Sequence, residues 1–356
     1  MVNPAERRPL LQRIRAAGSD LPHLPLADLP TPLGQLQFDG LPAFWLKNDG
    51  AAAPVYGGNK VRKLEWLLAE AKTEGASTVR TTGAIGSNHC VATAIHASRV
   101  GLRTELFQTP QPLTEHVRLN MLAASCFAHR TRLLPDYRAF DGALRRAGWV
   151  DRLRGRRSKA IPMGGSSVTG TLGYVNAALE FCEQLMAERG APPPRIYLPA
   201  GTCGTMAGLI VGFELAEREV EVVGVRVVDA SVTNDARVAE LVEATWHRLQ
   251  ALGLARPARR VAWMLRHDGF GAGYGVGTEA GAEAVARFAE HGLKLELTYT
   301  AKAAAVLLRD LRSGQLRDGE AVFWYTLNSQ PLLAALPHDA LTRVPADYKP
   351  FFEVPR

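Results

Sequence analysis

No stretch of about eighteen or more apolar residues occurs in the 356-residue chain, so no membrane-spanning helix is expected. Cysteine is scarce. Cys90, Cys126, Cys182 and Cys203 lie far apart and without CxxC spacing. Neither a zinc site nor a disulfide framework follows from them, and a reducing, cytoplasmic setting fits. The opening stretch MVNPAERRPLLQRIRAAG has no long apolar core and no small-residue cleavage site; it reads as a solvated helix instead of a secretory signal. The histidines form no HExxH pair, and His89 and His96 stand seven apart, too far for two ligands from one helical turn. Metal catalysis is therefore disfavoured. No repeat of fixed period is visible.

What the chain has is an ordinary globular balance, with 47% hydrophobic and 22% charged residues, over a length that suits two domains. Its 42 basic residues outnumber 35 acidic ones, leaving a net charge of +7. The densest basic run, Arg152, Arg154, Arg156, Arg157 and Lys159, reads as a solvated loop or helix end. It carries no interleaved aromatics and belongs to no nucleic-acid module, so nucleic acid is not an expected partner. A mild positive field helps gather anionic substrates.

Short β-branched runs alternate with helical patterns. Strands are expected at 77–83, 103–109, 159–164, 195–201, 220–228 and 321–326, and helices at about 60–72, 89–100, 115–124, 171–187, 204–217, 277–291 and 301–312. Such alternation predicts an α/β fold with parallel-rich sheets flanked by helices. The helix at 60–72 rests on Val61, Leu64, Leu67, Leu68 and Ala71 sharing one face, with Asn59 as its expected N-cap. The proline-rich APPPR (191–195) reads as a rigid surface connection.

Three segments have the makings of a site. In GGNKVRKLE (57–65), two glycines allow close backbone approach to a ligand. Lys60 lies in the first helical turn, where the helix dipole favours loss of its proton, and a neutral amine is what a lysine nucleophile needs. Lys63, three residues on, is a second candidate. Alone, the segment reads first as a capped helix with surface lysines. In GAIGSNH (83–89), a strand ends and Ser87-Asn88 opens a helix whose free N–H groups suit a carboxylate. In PAGTCGTMAGL (199–209), a strand runs into Gly201, Thr202, Cys203, Gly204 and Thr205, a turn suited to cradling phosphate. It matches neither GxGxxG nor GxxxxGKS, so it is no nucleotide fingerprint, and it lacks the GxSxG elbow of a serine hydrolase. Cys203 reads as a small loop residue, not a nucleophile.

Taken together and in this order, the lysine segment, SNH after a strand and the Gly/Thr loop resemble the D-cysteine desulfhydrase and 1-aminocyclopropane-1-carboxylate deaminase family. These are tryptophan-synthase-β-like (type II) enzymes dependent on pyridoxal 5'-phosphate. The likeness continues through LPTPL (29–33), IPMGGSSVTGTLGYVNAALE (161–180), YGV (274–276) and LTYTAKAAAVL (297–307), covering about 25–330. The resemblance implies a larger cofactor-binding domain from residues 1–62 and 172–356, a smaller domain from 63–171, and a homodimer. It also implies site roles. Lys60 matches the lysine that carries the cofactor, beside Asn59, and Asn88 matches the partner of the cofactor's phenolic oxygen. Ser87, Asn88 and His89 match the loop that takes the substrate carboxylate, and Gly201–Thr205 match the phosphate cup. Tyr274 and Tyr299 match the tyrosines flanking the substrate.

Two positions in this family go with the choice of reaction. Ring-opening deaminases carry glutamate after the second tyrosine and leucine in the last motif, whereas desulfhydrases carry small hydroxyl residues at both. Here Thr300 and Thr326 stand there. A hydroxyl supports the ring nitrogen less than a carboxylate does, yet suffices when electrons leave with a thiolate. The expectation is β-elimination from a small amino acid, D-cysteine first. The alternatives are 1-aminocyclopropane-1-carboxylate deamination, β-replacement, D-serine dehydration, racemisation, or a catalytically silent cofactor-binding protein. One departure stands out: the family's His-Thr-Gly-Gly stretch is replaced by Tyr325-Thr326-Leu327-Asn328-Ser329, which is expected to alter the wall around the ring or the substrate.

Overall fold

The computed structural model describes residues 7–188 and 195–353. Two sheets organise the chain. One has six strands in the order β1 (Leu33–Leu36), β2 (Phe44–Asn48), β10 (Ala321–Tyr325), β7 (Arg195–Ala200), β8 (Glu221–Arg226) and β9 (Ala262–Arg266). Only its edge strand β1 runs antiparallel to its neighbour. The other sheet has four parallel strands in the order β5 (Arg130–Leu133), β4 (Arg103–Thr109), β3 (Thr78–Ala84) and β6 (Ser158–Ala160). The interior strands β7 and β10 are near-continuous apolar runs with every residue of β10 buried, as expected of parallel strands covered on both faces. The expected α/β class, with parallel-rich sheets and flanking helices, is the observed one.

The helices that matter most to the site are α2 (Asn59–Thr73), α3 (Asn88–Arg99), α6 (Val168–Glu188), α7 (Gly204–Leu215) and α10 (Thr300–Arg312). The predicted apolar face of α2 is buried, but so are Arg62, Lys63 and Glu65. Arg62 donates to Asp49 and Glu180, Lys47 donates to Glu180 at 2.6 Å, and Trp324 Nε1 donates to Asp49 at 2.7 Å. Such a buried ionic network holds α2 in one register because each charge depends on its partners. Helix α7 is buried all round and meets α6 at close range. A Cβ at Gly208 would lie 2.5 Å from Thr171 O, and one at Gly212 would lie 2.7 Å from Val175 O.

Several sequence expectations need correction. The N-terminal helix, α1 (Pro9–Ala16), is not solvated: Leu10, Leu11 and Ile14 are buried, and Leu10 N–H donates to Asn176 Oδ1 on α6 at 3.1 Å. Its short apolar stripe, flanked by arginines, hid a packed face. Asn59 is not the N-cap of α2; Gly58 is, at φ 85°, and Asn59 is already helical. The strand expected at 159–164 stops at Ala160 and gives way to a 3-10 turn, Met163–Gly165, because Pro162 and two left-handed glycines end it. Sequence reading did not identify α5 (Phe140–Leu153), α8 (Asp235–Ala251) or the strands β1, β2, β5 and β9. The basic run starts at the exposed end of α5 and runs on into β6, where Lys159 pairs with Glu70 and Glu74. Residues 191–194 of the proline-rich connection lie outside the described residues.

Candidate active site

A cavity of about 930 Å³ opens at the carboxyl ends of strands from both sheets. Its wall includes Thr82–Ala84 from β3, Thr109 from β4, Ala160 from β6, Pro199 and Ala200 from β7, and Thr326 just past β10. Strand ends are where open α/β sheets leave room for a ligand. Each candidate residue named from the sequence, from Asn59 and Lys60 through Ser87, Asn88 and His89 to Gly201–Thr205, Tyr274, Tyr299, Thr300 and Thr326, lines this one cavity.

Lys60 projects from the first turn of α2. Its Nζ donates to Asn59 Oδ1 at 2.8 Å, and Asn59 Nδ2 donates in turn to Thr205 Oγ1 at 3.1 Å. Burial pushes the amine down to about 8, against the opposing pull of Glu296. Lys63 reaches a different place: its Nζ donates to Gly164 O at 3.1 Å and Ser166 Oγ at 3.2 Å. Burial first, and then the neighbouring Lys60 charge, holds it well below the usual lysine range.

Ser87 caps α3, its hydroxyl accepting from Cys90 N–H at 3.3 Å. The Asn88 amide oxygen accepts from Tyr56 OH at 3.0 Å and Asn120 Nδ2 at 2.8 Å and lies 2.9 Å from His116 Nε2. An amide whose oxygen is so engaged has its orientation decided, which leaves the NH₂ as the donor for the cavity. His89 turns towards the sheet, with Nε2 2.9 Å from Thr81 Oγ1. Burial, then Lys60 and Lys63, keeps it neutral.

The Gly/Thr loop joins β7 to α7 and lines the cavity, with Gly204 N–H donating to Ser166 Oγ at 3.2 Å. Cys203 caps α7 at φ 65°, and burial raises its thiol pKa, which fits a loop residue and not a nucleophile. Thr202 Oγ1 lies 2.6 Å from Ser166 Oγ. A Cβ at Gly204 would stand 2.5 Å from Ser166 Oγ, and one at Gly164, itself at φ 66°, would stand 2.2 Å from Thr202 Oγ1. Three chain segments therefore converge on a concave set of hydroxyls, N–H groups and one lysine amine, a donor set that suits a multiply charged anion.

Across the cavity, Tyr274 OH and Tyr299 OH are 2.9 Å apart with their rings edge to face. Burial pushes Tyr274 up to about 12 and Tyr299 well above its ordinary range. Glu296 escaped the sequence reading. Its carboxylate is buried and accepts the N–H groups of Thr298, Tyr299 and Thr300 at 2.8–2.9 Å. An acidic residue just ahead of a helix start was the available signal. Phe140, Asp141 and Leu144 from the start of α5, and Tyr137 and Arg138 from the 3-10 turn ahead of it, also line the cavity; they were missed with that helix. Asn328 does not line it. Its Oδ1 accepts Gly57 N–H at 2.6 Å, so the departure at 325–329 braces the lysine segment from behind, and only Thr326 and Leu327 reach the wall.

A family model described as pyridoxal-phosphate dependent enzyme matches residues 24–326. The chain is 35% identical over 326 residues to D-cysteine desulfhydrases of Salmonella paratyphi A and Salmonella choleraesuis, covering 89% of this chain and 97% of each relative. Among solved structures it resembles an ACC deaminase homologue, with a TM-score of 0.72 and 26% identity over 91% of this chain and 99% of that one. It shares its fold with a fungal L-serine ammonia-lyase from Rhizomucor miehei at a TM-score of 0.56, 18% identity, and coverage of 88% of this chain and 98% of that one.

Proposed function

Because this chain belongs to the pyridoxal-phosphate dependent enzyme family, we propose that it is a lyase that eliminates the β-substituent of a small amino acid. D-cysteine is the first substrate, giving pyruvate, ammonia and hydrogen sulfide. The cavity fits the family's cofactor. It offers a lysine amine lowered to about 8, a fixed amide donor at Asn88, and a glycine-edged cradle that a Cβ would fill. When bound, pyridoxal phosphate supplies an electron sink that acidifies the bond from Cα to hydrogen.

The protein's own groups divide the remaining work. Lys60 holds the cofactor, and its amine, neutral at mildly alkaline pH, takes the Cα proton. Gly201–Thr205, with Ser166 and Lys63, hold the phosphate. Asn88 donates to the phenolic oxygen, and the Ser87-Asn88-His89 turn orients the substrate carboxylate. The Tyr274–Tyr299 pair holds a proton beside the substrate, while the bond from Cβ to sulfur breaks and thiolate departs. Water completes the conversion of the remaining three-carbon fragment to pyruvate and ammonia. The two bodies assigned here are 1–62 with 172–356 and 63–171, in a cytoplasmic homodimer.

The observation that carries this reading is the use of Glu296. The buried carboxylate of the cavity is committed to the N-terminus of α10, and Thr300 Oγ1 is engaged with the same residue, accepting Glu296 N–H at 3.0 Å and reaching its oxygens at 3.4 Å, so the group left for the ring nitrogen is the hydroxyl of Thr326. That chemistry favours a substrate whose electrons leave with a β-substituent. A second reading, ring opening of 1-aminocyclopropane-1-carboxylate to α-ketobutyrate, is favoured by the solved ACC deaminase homologue.

The test is an absorbance spectrum of the purified protein before and after D-cysteine, with pyruvate and sulfide assayed in the same tube. A shifting visible band with both products is expected, and Lys60→Ala should abolish turnover. Products from 1-aminocyclopropane-1-carboxylate alone would select the second reading, and normal turnover by Lys60→Ala would sink the assignment.

A further inference from the structure

Tyr274 lies in an irregular segment, 267–278, between β9 and α9 (Glu279–Ala289). Two backbone bonds, Phe270 N–H to His267 O at 3.2 Å and Val276 N–H to Gly273 O at 3.3 Å, close short turns inside the segment. Gly271 and Gly275 both have positive φ. Local structure therefore does little to fix where the Tyr274 ring points.

The fixing comes from α10. Lys302 is fully buried, and its Nζ donates to Phe270 O at 2.6 Å and to Gly273 O at 2.9 Å. The same ammonium lies 5.2 Å from the Phe270 ring centroid, and the Arg226 guanidinium lies over that ring at 4.1 Å. A buried ammonium is costly unless its donors are satisfied, so the two carbonyls and the ammonium hold each other in place. Lys302 also lies in the first turn of α10, three residues after Tyr299, which is the N-cap of that helix. One helical turn thus carries one tyrosine directly and grips the loop that carries the other.

We propose that Lys302 is a positioning residue that sets the contact between the Tyr274 and Tyr299 hydroxyls by clamping the carbonyls of Phe270 and Gly273. The proposal rests on the role given above to the tyrosine pair, and the measurements separate the two. Lys302→Met should leave pyridoxal phosphate uptake, read from the visible band, unchanged. It should lower kcat for D-cysteine by about 10- to 100-fold, the scale of an ångström-sized misplacement, with a smaller change in KM. Amide exchange at 270–276 should quicken while that of α10 does not. Lys302→Arg, which keeps charged donors, should restore most of kcat. In a Tyr274→Phe background, Lys302→Met should add almost nothing, since contacts that act together are not additive.

Unchanged exchange at 270–276 in Lys302→Met overturns the proposal, as does a kcat loss that multiplies with that of Tyr274→Phe. If Tyr274→Phe alone leaves kcat intact, the role given to the tyrosines falls, and exchange still decides whether Lys302 holds the loop. If Lys302→Met does not fold, Lys302→Gln, one atom shorter, is read by the same measurements.

Discussion

Lys60 owes its proposed chemistry to where its amine sits. Burial brings it from the ordinary lysine value to about 8, with Glu296 pulling the other way. The neutral amine is the form that reacts with an aldehyde, so capture of pyridoxal phosphate should speed up as pH rises and level off above about 8. The check is the rate at which the visible band appears when cofactor is added to cofactor-free protein across a pH series; a midpoint above 10 would contradict the environment described. The lysine and its neighbours were legible in the sequence because GGNKVRKLE combines glycines, an amine and a helix start. Within that segment the choice between Lys60 and Lys63 stayed open, and the family resemblance pointed to Lys60; what sets Lys63 apart physically was not legible. It depends on which amine meets Gly164 and Ser166, residues about a hundred positions away.

Among the elements, α10 does the most for the site. Its start holds Tyr299 and Thr300, and Glu296 satisfies the N–H groups there. Glu296→Ala leaves those donors buried and unpaired, at a cost of about 1–3 kcal/mol, readable as a lower Tm. Glu296→Gln removes the charge that supports the ammonium form of Lys60, so the midpoint for cofactor capture should move below that of the native protein. An unmoved midpoint would mean that the two groups do not sense each other. The helix itself was expected at 301–312, but Glu296 was not singled out, because its role depends on the chain folding back from 296 onto the N–H groups of 298–300.

For the molecule as a whole, pH acts through groups buried between its layers. Burial lowers His96 to about 4, and Arg62 and Lys47 outweigh burial to bring Glu180 to about 2. Between pH 6.5 and 4 the unfolded chain binds a proton at His96 that the folded one does not, so stability is lost as pH falls through that window. Glu180 adds a further loss from about 4.5 downwards, by the same sign. Tm should therefore begin to fall below pH 6.5, well before the carboxylates titrate; a Tm that stays level down to pH 4.5 would show that the buried histidine has no such effect.

The sequence by itself determined the α/β class, the parallel strands β3, β4, β7, β8 and β10, and the glycine, hydroxyl and lysine segments at their ends. These depend on local periodicity and turn chemistry, which neighbouring residues carry. It also determined the family, because several short motifs in a set order are far more specific than any one of them. Tertiary structure alone decided the rest. It buried α1 against α6, where the apolar stripe is too short to announce itself. It turned Asn328 to brace Gly57 instead of lining the cavity, and fixed the Asn88 amide through Tyr56, His116 and Asn120. It also brought the Lys302 ammonium onto two carbonyls about thirty residues away. Each of these is a contact between groups distant along the chain, and burial supplies both its strength and its geometry.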